Sequence, residues 1–178
     1  MKRNSETVLT EWLVINAQMG DEKALEQLLR VWYPKLIGYA SRLLEDEHLA
    51  NDAIQNALLD MCRNIKKIKD PAAFPKWIFK ILQNKCADSI KHLQKERHKA
   101  RALEASQYLE IEKVELLDNT PEVDLSNLDN NAYQLVYLHY FEEFTLTEIS
   151  HIVGLPVGTL KSRLHGIRQK LKLSNKGH

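Results

Sequence analysis

Cysteine is nearly absent from this chain of 178 residues: only Cys62 and Cys86 occur, without paired spacing. That excludes a disulfide framework and fits a reducing compartment. A metal reading would need Cys62, Cys86, His92 and His98 to converge, whereas two cysteines on apolar helical faces read as small buried hydrophobes. Glycine and proline are scarce too, six and five copies, and no Gly-rich phosphate-binding loop appears. Neither a nucleophile beside a plausible base nor a metal-ligand spacing occurs, so no cofactor, metal or enzymatic chemistry is expected. Long apolar runs are missing, and the opening MKRNSETVLTEW lacks a signal-peptide core. A soluble, cytoplasmic protein without membrane insertion is expected. Strand alternation and internal repeats are also missing.

Charge is present, and its placement matters more than its total of +1. Residues 63–101 hold twelve Lys/Arg against Asp70, Asp88 and Glu96. Residues 102–130 hold Lys113 against eight acids, and residues 160–176 hold six Lys/Arg and no acid. Two basic blocks around an acidic one are a partner signal that the near-neutral sum conceals.

The strongest local pattern is Thr145 to Leu171, TLTEISHIVGLPVGTLKSRLHGIRQKL. Leu146, Ile149, Ile152 and Val153 recur at helical spacing. Thr145 or Thr147 can cap this helix, with Glu148 placed for a capping box, and Gly154 can end it. Leu160, Leu164, Ile167 and Leu171 form a second stripe on a helix whose other positions carry no acid. Two short helices joined by a tight turn, the second basic, predict a helix-turn-helix that meets duplex DNA through phosphates and base edges.

Nearly every other segment reads as helix. Val8 to Met19 ends at Gly20, and Asp21 caps a helix whose face is Ala24, Leu25, Leu28, Leu29 and Trp32. Pro34 predicts a kink or break before Leu36, Tyr39, Ala40, Leu43 and Leu44 resume the face. Leu49, Ala53, Ile54, Ala57, Leu58 and Met61 mark the next helix, followed by a basic loop, 64–73. Phe74, Trp77, Ile78, Ile81 and Leu82 open a helix running to about Lys95. The expectation is an all-α fold of two small helical domains, residues 1–94 and 128–174, joined by an acidic flexible linker, 95–127.

This order of parts resembles the extracytoplasmic-function group of bacterial sigma factors, all-helical promoter-recognition subunits of RNA polymerase. Asn51-Asp52-Ala53-Ile54-Gln55 stands where the family has an acidic pair, two residues and Gln. Phe74, Trp77, Asn84 and Asp88 follow its later pattern, and GTLKSRL is close to its Gly-Thr-Val-Lys-Ser-Arg-Leu core. The resemblance implies a region-two-like domain, a region-four-like helix-turn-helix, and three partners: core polymerase, promoter DNA and an anti-sigma factor.

By the same resemblance, Asp52, Gln55, Asn56 and Leu58 fall on the helix that docks on core polymerase. Lys66, Lys67, Lys69, Phe74, Lys80, Asn84 and Lys91 fall on the part that captures the minus-ten element. A basic track with pockets for unstacked bases suits opened DNA, although Trp77 at core spacing is expected inside, and Phe74 fits core or stacking equally. Thr159, Lys161, Ser162 and His165 match positions facing the minus-thirty-five element, with Arg163 and Arg168 as phosphate clamps or packing stems. The chain departs from the pattern at Asn51, Leu58, Lys91 and Gly166, where an acid, an aromatic and two arginines are frequent. The alternative is a helix-turn-helix regulator whose residues 1–94 sense a ligand or dimerise. A module that only titrates polymerase would have no need of the basic loop.

Overall fold

The computed structural model describes residues 5–103 and 129–174, and all regular structure among them is helical. Much of the expected linker, from 104 on, lies outside the described residues. Helix α1 spans Ser5–Gln18. It closes with two nested bonds, Asp21 N–H to the Asn16 carbonyl and Gly20 N–H to the Ala17 carbonyl, with Gly20 at φ +96°. This is a Schellman closure, which needs a left-handed residue and so favours glycine.

Asp21 then caps α2, Glu22–Leu44, accepting from the backbone N–H groups of Lys23 and Ala24. Pro34 does not break this helix. Pro34 and Arg30, whose carbonyl loses its bond, both lie on the exposed face, where water can replace the missing donor. Asp46 caps α3, Glu47–Asn64. Two 3-10 turns, Ile65–Lys67 and Pro71–Ala73, carry the chain to α4, Phe74–Leu103. Helix α4 thus continues past the expected boundary at residue 94, because nothing between Gln94 and Leu103 breaks a helix.

Asp129 caps α5, Asn130–Val136, which runs into a π-helical turn, Tyr137–Phe141. Helices α6, Leu146–Val153, and α7, Val157–Ser174, complete the chain.

The two helical units share one core. Phe79 of α4 is fully buried and lies edge-on to Trp32, Tyr39 and Phe144, with centroids 6.2, 5.3 and 5.8 Å away. Phe144 belongs to the C-terminal unit, so the Phe79 ring ties the units together, as does Tyr39 against Tyr137 at 5.7 Å. Such edge-to-face pairs contribute about 0.5–1.5 kcal/mol each beyond burial.

Polar bonds make the seam specific. The Gln134 amide of α5 donates to the Tyr39 hydroxyl and to Gln83 Oε1, both at 2.6 Å. Tyr39 in turn donates to Gln83 Oε1 at 2.7 Å. The Tyr137 hydroxyl donates to the Lys35 carbonyl at 3.0 Å. Lys35 Nζ bridges Glu142 at 3.3 Å and Glu6 at 2.6 Å. Burial pushes the Tyr39 and Tyr137 phenols well above their ordinary range, which keeps both neutral.

Candidate nucleic-acid and polymerase interfaces

Three surfaces carry the expected residues. The first is the exposed face of α3. Asp52, Gln55 and Asn56 are exposed there, as expected for a docking surface, while Leu58 is half-buried against the core. Neighbouring Leu59 is the exposed apolar residue, at 53%, and gives that polar face an apolar centre. The Asn56 amide donates back to the Asp52 carbonyl at 2.8 Å, so part of its donor capacity is used within the helix.

The second surface joins the loop after α3 to the face of α4. Ile65 is buried and Ile68 half-buried, while Lys66, Lys67 and Lys69 project outward. The 3-10 turn causes this, because residues three apart eclipse one another. Asp70 caps the next turn by accepting from Ala72 N–H at 3.0 Å. Behind the lysines lies a cleft of about 570 Å³ lined by Asn64, Lys67, Ile68, Asp70, Trp77 and Ile81, among others. Its apolar part suits an unstacked base, and Lys67 and Lys69, set against Asp60 and Asp70 in the lining, can meet a phosphate. An ion pair of Lys85 with Asp60 at 2.6 Å ties α4 to α3 beside it, and Lys85 holds the Asp60 carboxyl below its usual range.

One residue of the expected set is corrected. Phe74 is fully buried, edge-on to Trp32 at 5.3 Å, and has no ring face to offer a base. Trp77, expected in the core, is only half-buried and lines the cleft. Both rings lie near the start of α4. Trp32 covers Phe74, whereas the cleft leaves part of Trp77 open. Asn84 and Lys91 are exposed further along α4. Lys80 is half-buried, and its ammonium donates to the Ile152 carbonyl of α6 at 2.9 Å.

The third surface is α7. Thr145 rather than Thr147 caps α6, and the reciprocal Glu148 bond completes the capping box. Gly154 at φ +75° ends α6, and Ser150 Oγ donates to the Leu155 carbonyl at 2.6 Å to fasten the turn. Leu160, Leu164 and Ile167 are buried. That leaves Thr159, Lys161, Ser162, Arg163, His165 and Arg168 all exposed on α7. Arg168 is held rather than free: its Nε donates to the Tyr140 hydroxyl at 2.7 Å. Sequence reasoning missed Tyr140, an aromatic in the π turn 28 positions away. Gly166 has open space where a Cβ would stand.

Among the described residues, no group of three or more His, Cys, Asp or Glu side chains could hold a metal ion, and no helix is long and apolar enough to cross a membrane.

Comparison with known proteins agrees with this geometry. Residues 28–96 match the family model Sigma-70 region 2, and residues 125–173 match Sigma-70, region 4. The first match covers the α3 face and the basic cleft, the second the helix-turn-helix. The chain belongs to the sigma-70 family of RNA polymerase sigma factors.

Within that family it falls in the extracytoplasmic-function group. It is 26% identical over 167 residues to the ECF RNA polymerase sigma factor SigW of Bacillus subtilis, covering 86% of this chain and 89% of that protein. It is 22% identical to the RNA polymerase sigma-H factor of Pseudomonas aeruginosa, covering 89% and 90%. Two solved structures share the fold. CnrH in complex with the cytosolic domain of CnrY matches with TM-score 0.62 at 19% identity, covering 96% of this chain and 99% of that one. RpoE in complex with the anti-sigma factor NepR, from Bartonella quintana, matches with TM-score 0.62 at 23% identity, covering 87% and 98%.

Proposed function

We propose that this sigma factor directs core polymerase to two-part promoters through three separate grips and helps to open them. The α3 face of Asp52, Gln55 and Leu59 meets the core enzyme. The cleft of Lys67, Lys69 and Trp77, with Lys66, Asn84 and Lys91, takes the single-stranded minus-ten element. The exposed face of α7 reads the duplex minus-thirty-five element, Lys161 and His165 at base edges and Arg163 and Arg168 at phosphates. The observation that carries this reading is the separation of roles. One chain holds an exposed polar face on α3, a cleft with Trp77 and lysines in its lining, and an acid-free exposed face on α7, each on a different surface.

The docked units bear on how these grips are used. Minus-ten and minus-thirty-five elements lie about 85 Å apart along B-form DNA. A globule of this size is only about 40 Å across. The chain between residues 103 and 129 reaches about 85 Å at full extension. Engaging both elements therefore requires the C-terminal unit to leave the α2–α4 seat, with polymerase fixing the new spacing. The structural relative in complex with the anti-sigma factor NepR supports a partner of the anti-sigma kind for this chain as well. Its place of action is the cytoplasm, where polymerase works.

The deciding measurement is run-off transcription with purified core polymerase. Specific transcripts that depend on the added protein are expected. Promoter-specific DNA binding without core, and no transcripts with it, would instead make it a regulator of the other kind. Asp52→Ala with Gln55→Ala is expected to weaken core binding; unchanged affinity would remove those residues from the interface.

A further inference from the structure

Helix α1 lies outside residues 28–96, the stretch that matches region 2, yet its last residue reaches into the basic loop. The Gln18 amide donates one hydrogen bond to the Ile65 carbonyl at 2.9 Å and another to the Ile68 carbonyl at 2.8 Å. Those carbonyls bracket the 3-10 turn that carries Lys66 and Lys67. Ile68 N–H also donates to the Ile65 carbonyl at 3.2 Å, closing the turn from within. A primary amide has two N–H donors, and both are used here on a single turn.

We propose that Gln18 is a positioning residue for minus-ten recognition. It pins the Ile65–Ile68 turn from behind and so sets the depth of the neighbouring cleft and the direction of Lys66, Lys67 and Lys69. The inference rests on the proposed role of that cleft in promoter binding.

Three features make Gln18 suited to this. Its backbone is fixed by the Schellman closure at Gly20, so its side chain leaves α1 in one direction. The stem is half-buried, so few other rotamers compete. The amide is neutral, so it holds two carbonyls without altering the field of the three exposed lysines. A glutamate of the same length has no donor at neutral pH and would set its charge against both carbonyl oxygens. Like charges on Lys66, Lys67 and Lys69 repel one another, so the two Gln18 bonds add to the hold that buried Ile65 and the Ile68-to-Ile65 bond already give the turn.

The test uses the full-length protein with core polymerase and a promoter pool randomised across the minus-ten element. Transcripts are sequenced to obtain the preference at each position. Gln18→Glu and Gln18→Met keep the stem length and remove the donors. With one or two hydrogen bonds lost, both variants are expected to flatten the preference for the best minus-ten sequence about tenfold. Amide exchange in residues 65–70 is expected to quicken in both. Core affinity and binding to minus-thirty-five duplex are expected to stay unchanged, which separates loop positioning from global damage.

An unaltered preference profile in a variant whose loop exchange has quickened would overturn the proposal. So would a uniform loss of transcripts across the pool, which marks a structural role only. If the unaltered protein directs no transcripts with core, it is the promoter-binding reading that fails, a result distinct from both.

Discussion

Lys80 Nζ donates to the Ile152 carbonyl at 2.9 Å, joining α4 to the first helix of the helix-turn-helix. Lys80 stands on the face assigned to minus-ten DNA, so in the docked form its ammonium is occupied by the other DNA-binding unit. A cation cannot serve both at full strength. Lys80→Met is therefore expected to loosen docking and to reduce promoter binding together. Distance-sensitive fluorescence between labels on α2 and α7 reads the first effect, and salt-dependent binding of minus-ten DNA the second. A normal salt slope in the variant would take Lys80 off the phosphates.

Gln134 offers a cleaner way to open the seam. Its amide serves Tyr39 and Gln83 at the seam, so Gln134→Leu removes two bonds and leaves only that from Tyr39 to Gln83, at a cost of about 0.5–1.5 kcal/mol per bond. The variant is expected to show a longer distance between α2 and α7 in the absence of polymerase. It is also expected to bind core at least as tightly as the parent, because the α3 face is untouched. An unchanged distance would show that the apolar contacts alone hold the seam.

The Lys35–Glu142 pair gives the seam a pH dependence whose sign can be stated. Burial raises the Glu142 carboxyl above its ordinary value, and Lys35 offsets only part of that. An acid with a raised folded value contributes most at low pH, and its contribution declines as pH rises through the shifted value. For Lys35, burial acts to lower the pKa, but Glu6 and Glu142 outweigh it and the net shift is upward. Its contribution is complete below its ordinary value of 10.5 and is lost as pH rises through the raised one. Tyr39 and Tyr137, both raised by burial, add to the same alkaline loss. Docking measured by fluorescence is thus expected to weaken above about pH 10. Glu142→Gln is expected to remove the gentler decline in the acid range and to shrink, without abolishing, the alkaline one, since Glu142 is one of the groups that raise Lys35 and Tyr137.

The cysteines predict a simple labelling result. Cys62 is exposed, whereas Cys86 is fully buried and its thiol is pushed up to about 12 by burial. A thiol reagent at neutral pH is expected to modify Cys62 quickly and Cys86 only on unfolding, as mass spectrometry of the labelled protein would show. Rapid double labelling would mean that α4 opens locally.

Gly166 stands on the exposed side of α7 with nothing within contact range of an added Cβ. Gly166→Ala is expected to stabilise the helix by about 1 kcal/mol, seen as a higher melting temperature. If Gly166 also shapes DNA choice, the same variant will shift preference among minus-thirty-five elements. A uniform change would confine the glycine to helix stability.

What the sequence made legible was local. The capping box at Thr145 and Glu148, the stop at Gly154 and the apolar stripes of α2, α3 and α7 all follow from spacing within one helix turn or two. Depth was not legible. Phe74 and Trp77 share an apolar pattern, and only the arrival of Trp32 from α2 buries one and leaves the other at a cleft. The seam was invisible for the same reason: Gln134 lies 95 positions from Tyr39 and 51 from Gln83, and nothing local marks a glutamine as a core residue. Gln18 carried no signal either, since its targets are backbone carbonyls, which every residue possesses.

Parting Phe79 from Phe144 has a consequence for turnover. Leu135, Val136, Leu138 and Phe144 are all buried in the docked form, and separation brings part of this surface into water. Exposed apolar surface is what chaperones and proteases survey in the cell. Closed copies keep that surface covered. A copy held open is therefore expected to be degraded faster than a closed one, as a pulse-chase of Gln134→Leu beside the parent would read.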